Sequence, residues 1–201
     1  MKKTLYLKFL LAYVIFGIFG FIIISVFVPK LTVEQLTREK ANTLYSEATL
    51  IADRYGSGLY TSDTSLESVK NQLDALSVYL DSDIWIINPS GRMVLTTEYP
   101  LNVDEVVIIE NFDPTLTANS YYNVSNFFNY YDEAMLNVIA PITTNYKVNG
   151  YVVIHASMAS VYESSNSLLT ISYITMCILF FLSMIILIFF TEIVYLSLIH
   201  I

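Results

Sequence analysis

The chain has 201 residues, room for one ordinary domain plus accessories, and it is 55% hydrophobic but only 14% charged. All but three of its 10 basic residues and all but one of its 18 acidic residues fall between Pro29 and Ser167, so that segment is strongly acidic. Such a segment repels nucleic acid and anionic lipid surfaces and excludes both as its partners, and the single cysteine, Cys177, leaves no disulfide or thiolate metal cluster to build there.

Taken in order, the chain begins with Lys2 and Lys3 and then runs apolar from Leu5 to Val28, interrupted only by Lys8. At about 1.5 Å per helical residue that run is long enough to cross a hydrocarbon core of about 30 Å. It is longer than the apolar core of a signal peptide and ends Ser-Val-Phe-Val-Pro-Lys, without a small-x-small cleavage pattern, which favours an uncleaved anchor. The three lysines place residues 1–4 in the cytoplasm and the segment after Val28 outside. After Pro29 the residues Leu36, Leu44, Ala48, Ile51 and Tyr55 recur at helical multiples, and Gly56-Ser57-Gly58 is the expected stop. Thr64 and Glu67 form a capping box for a second helix, whose residues Leu66, Val69, Leu73, Leu76 and Leu80 make one apolar stripe read as core. Asp81-Ser82-Asp83 closes it.

The next stretch, Ile84 to Leu95, is the strongest local signal in the chain. Apolar, mostly β-branched residues run into Asn88-Pro89-Ser90-Gly91, where Pro89 presets φ, Gly91 accepts positive φ and Asn88 can bond back to the turn. Residues 104–110 read as a short helix or a strand. Tyr121 to Phe128, Met135 to Ile142 (ending at Pro141) and Gly150 to His155 supply further strands, giving about five with hairpin-sized connections and hence an antiparallel sheet. Residues 157–167 are polar and lead into Leu168 to Phe190, an uncharged second span, with 191–201 beyond it in the cytoplasm. Ala12, Gly17 and Gly20 are small enough to let spans approach.

In this order, with "IWIINPSGRMVLTT" and "MLNVIAPITTNYKVNGYVVIHASM" between two anchors, the chain resembles the sensor half of bacterial two-span sensor histidine kinases with an extracytoplasmic PAS-like domain of the single Cache (PDC) type. The motifs that carry the likeness are Asn88 to Gly91, Ala140-Pro141-Ile142 and Gly150 to Ile154. The resemblance implies an α+β fold in residues 29–167: a five-stranded antiparallel PAS-like sheet with a long N-terminal helix, flanked by transmembrane helices at 5–28 and 168–190. It implies a homodimer in the bacterial plasma membrane and an unknown extracellular ligand or ion. It also implies a cytoplasmic kinase that uses ATP and Mg²⁺ and passes phosphate to a response regulator. None of those catalytic parts lies in this sequence, which therefore offers no catalytic residue and no cofactor of its own. Residues 196–201, Leu-Ser-Leu-Ile-His-Ile, resemble a translated sequencing adaptor, so a truncated gene is expected. The alternatives are the sensor part of a chemoreceptor or cyclic-dinucleotide enzyme, or a stand-alone membrane-anchored binding or assembly protein.

No nucleophilic triad, metal-ligand spacing or phosphate loop is visible. The candidate ligand-contacting residues are Trp85, Arg92, Tyr130, Tyr131 and His155, because aromatic bodies with polar tips suit a small polar ligand in a PAS-like pocket. For Trp85 and the tyrosines a place in the core or on the sheet surface is the competing reading, and for His155 a structural or half-exposed histidine. Asp81, Asp83, Asp104 and Glu105, near Glu110 and Asp113, form a candidate cation patch, with a solvated acidic face as the competing reading.

Overall fold

The computed structural model describes residues 2–56, 58, 65–100, 107–117 and 121–199. It contains the elements α1 (Lys2–Ile51), a π-helical turn (Ala52–Gly56), α2 (Leu66–Leu80), β1 (Asp83–Ile87), β2 (Met93–Thr96), a 3₁₀ turn (Pro114–Thr117), β3 (Tyr122–Ser125), β4 (Met135–Thr144), β5 (Lys147–Ser157) and α3 (Ala159–Ile199). Two compact units result: residues 1–35 with 162–201, and residues 36–161.

The second unit is built on the expected α+β plan. Its single sheet is antiparallel with strand order β2-β1-β5-β4-β3, a PAS-like arrangement. Ile84 and Ile86 of β1, Leu136, Val138, Ala140 and Ile142 of β4, and Val152, Ile154 and Ala156 of β5 are buried on one face. The helices bring the buried stripes Ala41, Leu44, Ala48 and Ile51 of α1 and Val69 and Leu73 of α2 to the domain, with α2 against β1 and β2 and the π turn against β4 and β5. Burying those side chains is the main stabilising term, about 1.5–3 kcal/mol for each Val, Leu or Ile. Polar contacts fasten the edges: Tyr121 Oη donates to Asn42 and its ring meets Tyr45 at 5.1 Å, while Lys40 Nζ donates to Ser160 Oγ over 2.7 Å.

The helix α1 runs through Pro29 without a break, so the apolar stretch and the domain helix are one element. Three local details differ from the sequence reading. The N-cap of α2 is Ser65, whose hydroxyl accepts from Ser68 N at 3.3 Å; Thr64 lies outside the described residues. Leu66, counted in the core stripe, is exposed, because only Val69 and Leu73 of that helix's apolar residues are fully covered. β4 also continues past Pro141 to Thr144. Among the described residues the β3 ladder ends at Val138, so the missing Pro141 N–H removes no described ladder bond on that side.

In the first unit, the helices α1 and α3 are long and apolar enough to cross a membrane. Tyr13 stacks on Phe180 at 5.1 Å, and its hydroxyl donates to Phe180 O at 3.0 Å and contacts Ser183 Oγ. Gly17 lies against the Phe180 ring, where a Cβ would collide with it, and Phe21 meets Tyr173 at 5.7 Å.

Candidate ligand-binding site

The β1–β2 hairpin sets the frame. Asn88 Oδ1 accepts from Ser90 N at 3.0 Å, Ser90 Oγ at 2.8 Å and Arg92 N at 2.9 Å, and Gly91 N donates to Asn88 O at 3.0 Å. Gly91 sits at φ +82°, and a Cβ there would meet Ile109 O and Phe112 Cβ, each at 2.8 Å. That missing side chain admits the 107–112 segment, which is pinned by Ile109 N to Gly91 O and Met93 N to Val107 O, both 2.9 Å. Ile109 and Phe112 are thereby laid over the second face of the sheet.

Register fixes what that face carries. Asp83, Trp85 and Ile87 of β1 pair with His155, Val153 and Tyr151 of β5, which pair in turn with Asn137, Ile139 and Pro141 of β4. Alternation puts all of them on one side. Phe127 and Phe128 cover it from a left-handed turn that includes Asn129, at φ +43°, +54° and +62°. Bulky residues rarely adopt that conformation, which costs about 1–3 kcal/mol per residue and has to be repaid by packing. The repayment is visible. Phe127 is buried between Trp85 (5.6 Å) and His155 (4.4 Å), and the turn delivers Tyr130 and Tyr131 onto Trp85 at 4.6 and 5.8 Å.

His155 stands at the back of this cluster, fully buried, 4.3 Å from Trp85 and 5.2 Å from Tyr131 between ring centres. Its Nδ1 lies 2.7 Å from Asn137 Oδ1. Asn137 Nδ2 is surrounded by acceptors, among them the backbone carbonyls of Ser125 (3.0 Å) and Met135 (3.1 Å). Carbonyls only accept, so the amide nitrogen is fixed on that side and Oδ1 faces the histidine. Oδ1 accepts too, so His155 Nδ1 carries the proton. Burial pulls the imidazole pKa down to about 3, which keeps the ring neutral and leaves Nε2 as a bare lone pair. Among the described residues Nε2 has no hydrogen-bond partner, and neither has the buried Trp85 Nε1.

The outer rim is acidic. Tyr131 Oη donates to Asp83 Oδ2 at 3.5 Å and Tyr130 Oη donates to Glu98 Oε2 at 3.1 Å. Burial raises the pKa of both carboxyls, the tyrosine hydrogen bonds oppose that, and neighbouring carboxylates add to it: Asp81 on Asp83, and Asp83 on Glu98. Desolvation pushes both tyrosines up as well, helped at Tyr130 by a hydrogen bond with Tyr99 and the Glu98 charge, and at Tyr131 by the Asp83 and Glu98 charges.

Of the residues singled out in the sequence, Trp85, Tyr130, Tyr131 and His155 are brought together, while Arg92 is exposed in the hairpin turn and makes no ring contact with them. Asp81 is exposed, Asp83 joins the aromatic cluster through Tyr131, and Asp104 and Glu105 lie outside the described residues. Among the described residues no group of three or more His, Cys, Asp or Glu converges as a metal site. Sequence reasoning passed over Asn137, Phe127 and Glu98. Asn137 is polar within an apolar strand, a signal that a buried partner is waiting; Phe127 and Glu98 carry no comparable mark.

No family model matches the chain, and no curated protein does. Solved structures similar to the chain include the sensor domain of the V. cholerae histidine kinase DctB, at 14% identity and a TM-score of 0.46, the match covering 68% of this chain and 57% of that one. The ligand-binding domain of the Campylobacter jejuni chemoreceptor Tlp3 in complex with L-valine is similar at 10% identity and a TM-score of 0.47, covering 67% of this chain and 60% of that one. The same sensory domain with isoleucine bound gives 10% identity and a TM-score of 0.45 over 67% of this chain and 60% of that one.

Proposed function

We propose that the chain is the signal-sensing and transmembrane portion of a bacterial two-component sensor histidine kinase, with residues 29–167 outside the plasma membrane and both termini in the cytoplasm. The observation that carries this reading is the buried aromatic cluster around Trp85, which holds two ring nitrogens without partners in a domain whose first and last helices also contain the chain's apolar stretches. Buried polar atoms cost about 1–3 kcal/mol when unsatisfied, so a domain that keeps two together is better explained by a ligand than by packing. A ligand that prefers one arrangement of the cluster shifts the population of the helices packed on the sheet, which is all that a transmembrane signal requires. Homodimerisation, a response regulator as partner, and ATP with Mg²⁺ in a cytoplasmic kinase belong to the same proposal and rest on the family resemblance.

The chromosomal reading frame past Tyr195 tests it. A phosphoacceptor helix and an ATP-binding domain support the proposal. A methyl-accepting or cyclic-dinucleotide module transfers the sensing role to another output, and a native stop codon there favours an anchored binding protein instead.

A further inference from the structure

The chemistry of the cluster, once the sensing reading is accepted, says what kind of molecule is sensed. Every unsatisfied or charged group at the site except one accepts hydrogen bonds: the carboxylates of Asp83 and Glu98, and the lone pair on His155 Nε2. The nearby charges that act on the two carboxylates are carboxylates themselves. Between them stand Trp85, Tyr130 and Tyr131, whose centres are 4.6, 5.8 and 5.1 Å apart in pairs. Indole and phenol faces carry negative potential and attract a cation most strongly where water is excluded. The one orphan donor is Trp85 Nε1–H.

We infer that this cluster binds a small organic ammonium that carries a neutral hydrogen-bond acceptor, an amino alcohol being the simplest case. The nitrogen donates to Asp83, Glu98 and His155 Nε2 against the aromatic faces, and the hydroxyl oxygen accepts from Trp85 Nε1–H. A free amino acid fits less well. Its carboxylate would face Asp83 and Glu98, and Arg92, the basic residue of the adjoining hairpin, is exposed in the turn. Trp85 is wholly buried while Tyr130 and Tyr131 are partly exposed, so these two rings are the ones that part to admit the ligand.

Trp85 is the only tryptophan in the chain and therefore reports on the site directly. The experiment is a fluorescence titration of the full chain in detergent or nanodiscs with ethanolamine, choline, L-alanine and acetate. Ethanolamine is expected to give a saturable change in Trp85 emission, weakened roughly tenfold or more by Asp83→Asn or Glu98→Gln, with L-alanine and acetate silent. The second measurement is the unfolding temperature: those two variants stay folded but lose the ethanolamine-induced rise. Silence of ethanolamine in the wild type overturns the inference, as does binding of choline, which has no N–H to donate, as tight as that of ethanolamine, equal binding of acetate, or unchanged affinity in both carboxylate variants. Ethanolamine binding that leaves the native output unchanged contradicts the sensing role and not the site; an output that answers only to a non-amine contradicts the site and not the sensing role.

Discussion

At His155, burial and the Asn137 contact combine to hold one neutral tautomer, and this has a consequence for acid stability. The unfolded histidine titrates at its ordinary value of 6.5, the folded one at about 3. Between those values the unfolded chain binds a proton that the folded chain does not, so this residue's contribution to stability falls as pH falls from about 6.5 toward 3. Asp83 and Glu98, with raised pKa values, contribute with the opposite sign and fall in importance as they protonate. The histidine effect is isolated by comparison with His155→Gln: between about pH 7 and pH 5 the variant should lose less unfolding temperature than the wild type in a melting series of the full chain. Parallel curves would contradict the buried neutral histidine. Asn137→Leu removes the partner of His155 Nδ1 and orphans the Ser125 and Met135 carbonyls on that side; a loss of about 2–3 kcal/mol in denaturant unfolding is expected. Gly91→Ala forces an L side chain into φ +82° and into the 107–112 segment, and about 1–3 kcal/mol should be lost in the same assay.

Elements differ in how far the sequence revealed them. The hairpin around Asn88 to Gly91 was legible because turn chemistry is local: a side-chain acceptor, a preset φ and a glycine lie within four positions. The five-strand sheet was legible from apolar runs separated by turns, though β4 was cut short at Pro141 because the rule against proline in strands does not know which edge is unpaired. The turn at Phe127 to Asn129 was not legible at all. No glycine marks it, and only tertiary packing of Phe127 on Trp85 and His155 repays the left-handed backbone. The site followed the same division: its aromatic residues were visible as composition, but their meeting with Asn137 and Glu98 depends on strand register and on that turn. In the unit formed by the two apolar helices, Gly17→Leu places bulk into the Phe180 ring. A Gly20→Cys/Met176→Cys pair, in which an ideal Cβ at Gly20 lies 3.9 Å from Met176 Cε, should cross-link with a short bismaleimide in a Cys177→Ser background and stop doing so when Gly17→Leu is added. Retained cross-linking would mean that Gly17 does not set the approach of these helices.

For the whole molecule, the proposal places an acidic domain outside the membrane and the three N-terminal lysines inside. Tyr146, fully exposed in the turn between β4 and β5, makes a suitable reporter: Tyr146→Cys, with Cys177→Ser, should react with a membrane-impermeant maleimide in intact cells. Reaction only after permeabilisation would reverse the orientation. The most direct measurement of the central claim uses the product of the chromosomal reading frame that encodes this chain in sided proteoliposomes, with ethanolamine supplied on the domain side alone and ATP with Mg²⁺ on the other. Sensing by the Trp85 cluster predicts a change in the rate of histidine phosphorylation that saturates with ethanolamine and needs roughly tenfold or more ethanolamine in Asp83→Asn. A phosphorylation rate that responds identically in wild type and Asp83→Asn, or to no compound on the domain side, would contradict it.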